Sequence, residues 1–339
     1  MTQTTASHHR IFDNSVSKPI GIVFVGMLIL LAAGCGGGSS QIDDASPGDE
    51  PQGIELTHPN LEKPLDLLVF KGRYVAAEME SGRLAIFDDL SFADFRHFDP
   101  SDIGQYFNEP HFLSPSPWGT LLISNGTGMS IVEITDLDGT GWREFSGVEI
   151  PFNSPHGSCI DDKGWIYVGD SLNSRIVRFR DMDGSGWEIF GDIDRRVAYS
   201  RQLVWHDGAL WVSNSYEQRP GLNPGKGANV LRISDFSSGK SEIVWQDERN
   251  NVNITGILPL DDQLFVSVWG DFQWIIRVDL KTGTFAEVEG SNNSLGIPYG
   301  LYRDQSADLR QSRRLEFVNR SKRINCEPPK GGYSSNMFS

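Results

Sequence analysis

The feature that most constrains the fold is an internal repeat that begins after residue 53. Its clearest copies run from Ser154 to Phe190 and from Glu109 to Phe145, and each holds short apolar segments bounded by Gly, Asp or Asn. Weaker copies follow the same pattern, and equivalent positions recur about every 43–54 residues, which is the range of propeller blades. Apolar runs of this length between turn residues favour strands over helices.

The repeat predicts an all-β fold, a six-bladed β-propeller with four antiparallel strands, A to D, in each blade. We expect the N-terminal strand at residues 53–58 to close the ring by pairing with the sixth blade, because an open propeller exposes two sheet edges. The propeller is therefore expected to cover residues 53–327, with a disordered tail at 328–339. A truncated or altered C-terminal end is the alternative, because residues 304–339 are basic and irregular.

One copy of the repeat resembles the NHL family. The stretch PHGSCIDDKGWIYVGDSLNSRIVRF (155–179) has a Pro-x-Gly step, an Asp before a turn Gly, a strand that ends in Asp, and then Asn-x-Arg-Ile. The other copies keep the hydrophobic spacing and the turns, but they lose the Asp-x-x-Asn-x-Arg run. The resemblance implies an NHL-like propeller.

The first residues indicate export. An uncharged apolar run at 21–34 follows Arg10 and Lys18, and it is too short to span a bilayer, which takes about 20 residues. It ends in LAAGC, which resembles the lipobox of bacterial lipoproteins and implies that Cys35 is acylated. We therefore expect a signal peptide at 1–34 and a flexible tether at 35–52. Gly36 implies the outer membrane of a Gram-negative cell, because Asp is absent there.

Composition narrows the function classes. The formal charge of −15 excludes nucleic acid as a partner, because phosphate binding needs a concentrated cationic surface. The three cysteines are widely spaced, so they form neither a disulfide framework nor a CxxC metal site. The expected partners are the membrane, through the N-terminal lipid, and an unidentified protein or small-molecule ligand.

Strand A lines the channel of a propeller, and the starts of the A strands meet the ends of the B strands at one mouth. A concave surface with several polar groups is the default location for a ligand. At this mouth we therefore expect a ligand-binding set from the repeat alignment: Asp66, His111, His156, Arg201, Tyr299 and Trp269.

A metal site is a further hypothesis for the same mouth. Glu78, Asn125, Asp170 and Asn214 occupy equivalent B-strand ends, and their oxygen atoms suit a divalent cation such as calcium. With histidines opposite, zinc is the other candidate. The alternative interpretation is that each residue caps a turn through hydrogen bonds to the backbone.

Two families of propeller enzymes resemble parts of this mouth. The regucalcin and gluconolactonase propellers bind a divalent cation through Glu, Asn and Asp side chains. The peptidyl-hydroxyglycine lyases bind zinc through Pro-His steps, which Pro110-His111 and Pro155-His156 match, although a third step is absent. The sequence favours a ligand- or protein-binding module, and a metal-dependent hydrolase or lyase is the alternative. It leaves the catalytic residues and the question of enzymatic activity open.

The lipid anchor is testable by one substitution. Cys35→Ser removes the acylated thiol, so the variant should move from the detergent phase to the aqueous phase in a phase-partition assay, because acyl chains supply the membrane affinity. Cys159→Ser is the control and should stay in the detergent phase. Equal partition of wild type and Cys35→Ser would overturn the lipoprotein hypothesis.

Overall fold

The computed structural model describes residues 61–89, 92–190, 197–215, 227–247, 252–270, 273–288 and 299–303, together with the backbone of 22–24. The chain divides into two units. The first, Met1–Asp304, contains all of the described elements, and the second, Gln305–Ser339, contains no described residue. The first described strand, β1, is Ile22–Phe24. No helix in the described ranges is long and apolar enough to cross a membrane.

The described chain forms five four-stranded antiparallel sheets, each in the order A-B-C-D. The first blade is β2 (Pro64–Phe70), β3 (Arg73–Glu78), β4 (Arg83–Phe87) and β5 (Arg96–Phe98). The second is β6 (Pro110–Pro115), β7 (Leu121–Asn125), β8 (Ser130–Ile134) and β9 (Arg143–Phe145). The third is β10 (Pro155–Ile160), β11 (Ile166–Asp170), β12 (Arg175–Phe179) and β13 (Glu188–Phe190).

The fourth blade is β14 (Tyr199–His206), β15 (Ala209–Ser215), β16 (Asn229–Asp235) and β17 (Lys240–Gln246). The fifth is β18 (Val252–Leu260), β19 (Gln263–Gly270), β20 (Trp274–Asp279) and β21 (Phe285–Glu287). The last described strand, β22 (Leu301–Arg303), pairs with β1 in an antiparallel two-stranded sheet. Two short 3₁₀ turns lie at Pro100–Ile103 and Ser171–Asn173. The prediction of four antiparallel strands per blade is confirmed.

The prediction of six blades is wrong, because the described residues form five. The sixth copy of the repeat contributes one described strand, β22, and the described strand that pairs with it is β1. The physical reason lies in the sequence after Arg303, which lacks the turn Gly and the regular apolar spacing of the other copies. The segments expected as its B and C strands, and the expected closing strand at 53–58, lie outside the described residues.

The hydrophobic cores lie between the blades. One cluster joins the first and second blades, and it includes Leu84 and Ile86 from β4 with Leu121 and Ile123 from β7. Three further clusters join the second blade to the third, the third to the fourth and the fourth to the fifth. The B strands are buried along most of their length because both faces of each sheet pack against neighbours, which explains the near-continuous apolar runs in the sequence.

The A strands of the third and fourth blades approach each other closely at Gly157. A Cβ atom built on Gly157 of β10 would lie 2.3 Å from the carbonyl oxygen of Arg201 in β14 and 2.7 Å from the Leu203 nitrogen. Real Cβ atoms do not come so near to backbone atoms, so glycine is the residue that permits this contact. The approach fixes the distance between the channel strands of the third and fourth blades.

Replacing this glycine tests the importance of the contact. Gly157→Ala should lower the free energy of unfolding by about 1–3 kcal/mol, because the methyl group forces two backbone segments apart. The control is Gly208→Ala in an exposed turn, where the methyl group meets nothing within 4 Å and only the positive φ angle of 69° costs energy, about 1 kcal/mol. Urea unfolding measures both. A smaller loss for Gly157→Ala than for the control would contradict the close-approach argument.

Candidate functional site

The ends of the B strands hold the start of each blade in place. In the first four blades, the side chain at this position accepts a hydrogen bond from a backbone N–H in the connection that enters the same blade. We call these four hydrogen bonds the entry latches: Glu78 with Glu62 N at 2.9 Å, Asn125 with Asn108 N at 2.5 Å, Asp170 with Asn153 N at 2.7 Å, and Asn214 with Ala198 N at 2.8 Å.

The entry latches explain the residue pattern at the B-strand ends without a metal ion. Asp170 also accepts hydrogen bonds from Arg175 Nε at 2.6 Å and from Asn173 Nδ2 at 2.7 Å. The Glu78 carboxylate lies 3.0 Å from His97 Nε2, and it forms an ion pair of 3.5 Å with Arg83. Within the part of the chain that the structure describes, no group of three His, Cys, Asp or Glu side chains is placed to hold a metal. The calcium or zinc site stays a prediction without support from this geometry.

The latches also secure a strained backbone. In the first three blades, the residue that precedes the first proline of strand A has a positive φ angle: Lys63 at 48°, Glu109 at 57° and Ser154 at 53°. Non-glycine residues rarely adopt this conformation, and strain of this kind occurs at ligand sites that the surrounding structure supports. Each of the three lies within two residues of its latched N–H, so the same hydrogen bonds that fix the connections hold these turns.

Three neighbouring A strands bring four polar side chains together. The rings of His111 on β6 and His156 on β10 lie with their centroids 4.1 Å apart. On β14, the Tyr199 ring lies 5.0 Å from the His156 ring, and the Arg201 guanidinium lies over the Tyr199 ring at 4.4 Å. We call His111, His156, Tyr199 and Arg201 the mouth cluster. The sequence-based prediction named three of its four members.

Hydrogen bonds define the proton position on His156. Its Nδ1 lies 2.9 Å from the carbonyl oxygen of Ser154, which can only accept, so Nδ1 carries the proton. The lone pair of Nε2 then accepts from Arg201 Nη1 at 2.9 Å and faces the Tyr199 hydroxyl at 3.3 Å. His156 is therefore a neutral imidazole that presents an acceptor to the arginine.

Both histidines favour the neutral state. Burial lowers the pKa of His111 to about 3, and the positive charge of Arg201 acts in the same direction. Burial also lowers the pKa of His156 well below its usual range, with smaller contributions from His111 and Arg201. At neutral pH the mouth cluster therefore contains one charge, the guanidinium of Arg201.

Two polar atoms of the mouth cluster have no hydrogen-bond partner among the described residues. His111 is 5% exposed, and its buried Nδ1 forms no hydrogen bond within the described ranges. The buried Nε of Arg201 likewise has no hydrogen-bond partner there. Buried polar groups are nearly always paired, and each exception requires an explanation. A bound ligand is one such explanation, because it supplies the missing partners.

Asp66 lies on the same ring of A strands but links different blades. Its carboxylate on β2 accepts a hydrogen bond of 2.9 Å from the backbone N–H of Leu113 on β6. Burial raises the pKa of Asp66 to about 7, although backbone hydrogen bonds from Leu113 and Leu67 oppose the shift. In the fourth blade Gln202 has a comparable role, because its Oε1 accepts from Ile257 N at 2.7 Å. Sequence analysis missed Gln202, since a single Gln in a strand has no distinctive signal.

Two residues predicted for the mouth stand apart from the cluster. Trp269, near the end of β19, is partly buried, and its Nε1 has no hydrogen-bond partner among described residues. Tyr299 lies just before β22, and its carbonyl oxygen is close to Gly256 of the fifth blade. Tyr199 takes the aromatic place in the cluster instead. Its position as the first residue of β14, two before Arg201, was the signal that could have identified it.

A separate cleft of about 550 Å³ lies between the third and fourth blades. Its walls include Trp165, Tyr167, Arg178, Trp205 and Phe236, which lie on strands or turns at the opposite end of the blades from the A-strand starts. Arg178 packs over Trp165 at 4.3 Å and over Phe236 at 4.7 Å. None of the residues predicted for the mouth lines this cleft.

No protein-family model matches the chain, and no curated protein matches its sequence. Among solved structures, a chain of the nidogen/laminin complex is similar with a TM-score of 0.55 and 12% identity, over 73% of this chain and 86% of that one. Virginiamycin B lyase from Staphylococcus aureus is similar with a TM-score of 0.50 and 17% identity, over 72% and 75%. Hydrazine synthase from Kuenenia stuttgartiensis gives 0.51 and 12%, over 74% and 73%. At these identities the likeness shows the β-propeller fold alone.

The raised pKa of Asp66 predicts a pH effect on stability. An acid with a higher pKa in the folded state than in the unfolded state binds its proton more tightly when folded, so stability rises as pH falls from about 7 towards 4. Asp66→Asn removes this dependence and should be more stable than wild type at pH 8, with an advantage that shrinks by at least about 1 kcal/mol at pH 5.

Urea unfolding of both proteins at pH 5 to 8 measures this difference. The buried histidines act in the opposite direction, because their lowered pKa values favour the unfolded state as pH falls below about 6.5. The difference between wild type and Asp66→Asn cancels that contribution. Asp162→Asn, the same substitution at an exposed position, is the control. A constant difference across the pH range would contradict the raised pKa.

Proposed function

We propose that this chain is an exported, lipid-anchored, NHL-like β-propeller that binds a ligand through the mouth cluster. The observation that carries the proposal is the convergence of His111, His156, Tyr199 and Arg201 from three neighbouring A strands. Two of their buried polar atoms have no hydrogen-bond partner among the described residues. A binding module needs a rigid concave surface with a few polar groups that lack internal partners. Export and anchoring rest on the LAAGC sequence at Cys35.

The geometry supports binding more than it supports metal chemistry. A catalytic zinc site takes three protein ligands and an open position, whereas the mouth cluster offers two histidines. The Nδ1 proton of His156 is donated to Ser154, and its Nε2 lone pair is already shared with Arg201. A cation at that nitrogen would displace the guanidinium and would lie next to a positive charge.

The proposal predicts that ligands depend on His111. The full chain is screened by ligand-observed NMR against small compounds that include neutral, cationic and anionic members. His111→Phe keeps a ring of similar size and removes both nitrogens, so it should weaken binding of the compounds found by about tenfold or more, the value of one or two lost hydrogen bonds. Because His111 Nδ1 has no partner within the described residues, the fold should tolerate this change.

The matched control is His206→Phe. His206 ends the same strand, β14, that begins at Tyr199, so it lies far from the mouth cluster along the blade. The His206→Phe variant should bind every compound with the affinity of the wild type. If no compound of any charge binds, or if His111→Phe binds all of them unchanged, the mouth cluster is not the ligand site.

A further inference from the structure

The charge of Arg201 identifies the chemistry of the ligand, an inference that rests on the proposed function. Arg201 is partly buried, and in the described part of the chain no carboxylate forms an ion pair with it. Arginine is rarely buried without an anionic partner, because removal of its charge from water is costly. Arg83 and Arg175, which begin the C strands of the first and third blades, each contact an acidic side chain.

The neighbours of Arg201 do not neutralise its charge. His156 offers a neutral lone pair to Nη1, and the Tyr199 ring offers its face to the guanidinium. Both interactions stabilise the cation and leave its net charge in place. His111 is neutral as well, since burial and Arg201 itself lower its pKa to about 3. The cluster is therefore a positive site without a counter-charge among described groups.

The bonding of the guanidinium leaves one edge without a hydrogen-bond partner among the described residues. Nη1 donates to His156, whereas neither the buried Nε nor Nη2 has an acceptor there, and we call the side formed by Nε and Nη2 the free edge. The N–H groups on Nε and Nη2 point in parallel, and that edge matches two oxygen atoms of a carboxylate or a phosphate. The hydrogen bond from Nη1 to His156 and the ring contact with Tyr199 hold the edge in a fixed orientation.

We propose that the ligand of the mouth cluster is a small molecule with an anionic oxygen group, which the free edge of Arg201 binds. The imidazole of His111, unpaired at Nδ1 in the described structure, then adds a polar contact beside the anion. The shared chemistry of carboxylate and phosphate is what the guanidinium recognises. Which of the two the site prefers is decided by experiment.

The test measures the melting temperature of the full chain with sodium acetate or sodium phosphate, each against sodium chloride at equal ionic strength. One of the two anions should raise the melting temperature of the wild type by about 2 °C or more over chloride, because a ligand that binds the folded state stabilises it. A larger effect of acetate indicates a carboxylate ligand, and a larger effect of phosphate indicates a phosphorylated one. Arg201→Gln should abolish the increase.

Two controls isolate the role of the Arg201 edge. Arg201→Lys keeps the positive charge without the paired N–H groups and should retain less than half of the increase. Arg232→Gln removes an arginine from β16 that pairs with Glu242, and it should respond to anions as the wild type does. An equal increase in wild type and Arg201→Gln, or no increase over chloride, overturns the proposal.

Histidine NMR of the wild type gives a readout that does not depend on a folded variant. An anion on Arg201 offsets the charge that lowers the pKa of His111, so that pKa should rise when the anion binds, and the ring ¹⁵N signals of both histidines should shift. Unchanged ring signals at saturating acetate and phosphate contradict anion binding here. Neutral compounds could bind through His111 while acetate and phosphate neither raise the melting temperature nor shift the ring signals. In that case this inference fails and the proposed function stands.

Discussion

The hydrogen bond between a B-strand end and the connection that enters its blade is the constraint on which the mouth depends. Each entry latch ties a buried carboxylate or amide to a backbone N–H 16 or 17 residues earlier in the chain. The A strand starts between those two points, often after a residue with a positive φ angle. Because four blades repeat the same bond, their A strands begin at equivalent heights, and side chains from different blades meet.

The mouth cluster shows how a partly buried charge can be accommodated without an acidic partner among the described residues. Desolvation keeps His111 and His156 neutral, and the tautomer of His156 is set by the Ser154 carbonyl, so its acceptor faces Arg201. The guanidinium gains a hydrogen bond and an aromatic face but keeps its charge. The arrangement favours an external anion over an internal ion pair, and it requires the strands to be fixed in advance.

The sequence predicted the repeat, the strand order within blades and the equivalence of Glu78, Asn125, Asp170 and Asn214. These features are local or periodic, so spacing reveals them. It did not predict five blades, because the number of completed sheets depends on pairing at the chain ends, where the repeat is weakest. The sequence also could not show that the side chains at the B-strand ends form the entry latches. A side-chain oxygen can bind a cation or accept a hydrogen bond from a backbone N–H, and the pattern is the same in both cases. Gln202 was missed because a single Gln in a strand has no distinctive signal, and Tyr199 was missed although its position two residues before Arg201 indicated the mouth.

The location of the cores between blades has a consequence for how the protein unfolds. The four largest apolar clusters each draw side chains from two consecutive repeats, so most of the core is shared between neighbouring blades. Loss of one repeat removes its share of the apolar clusters on both sides and exposes the apolar side chains of the neighbouring blades. Nearest-neighbour coupling of this kind makes the described blades a single cooperative unit, which tolerates variation in loops far better than removal of a repeat.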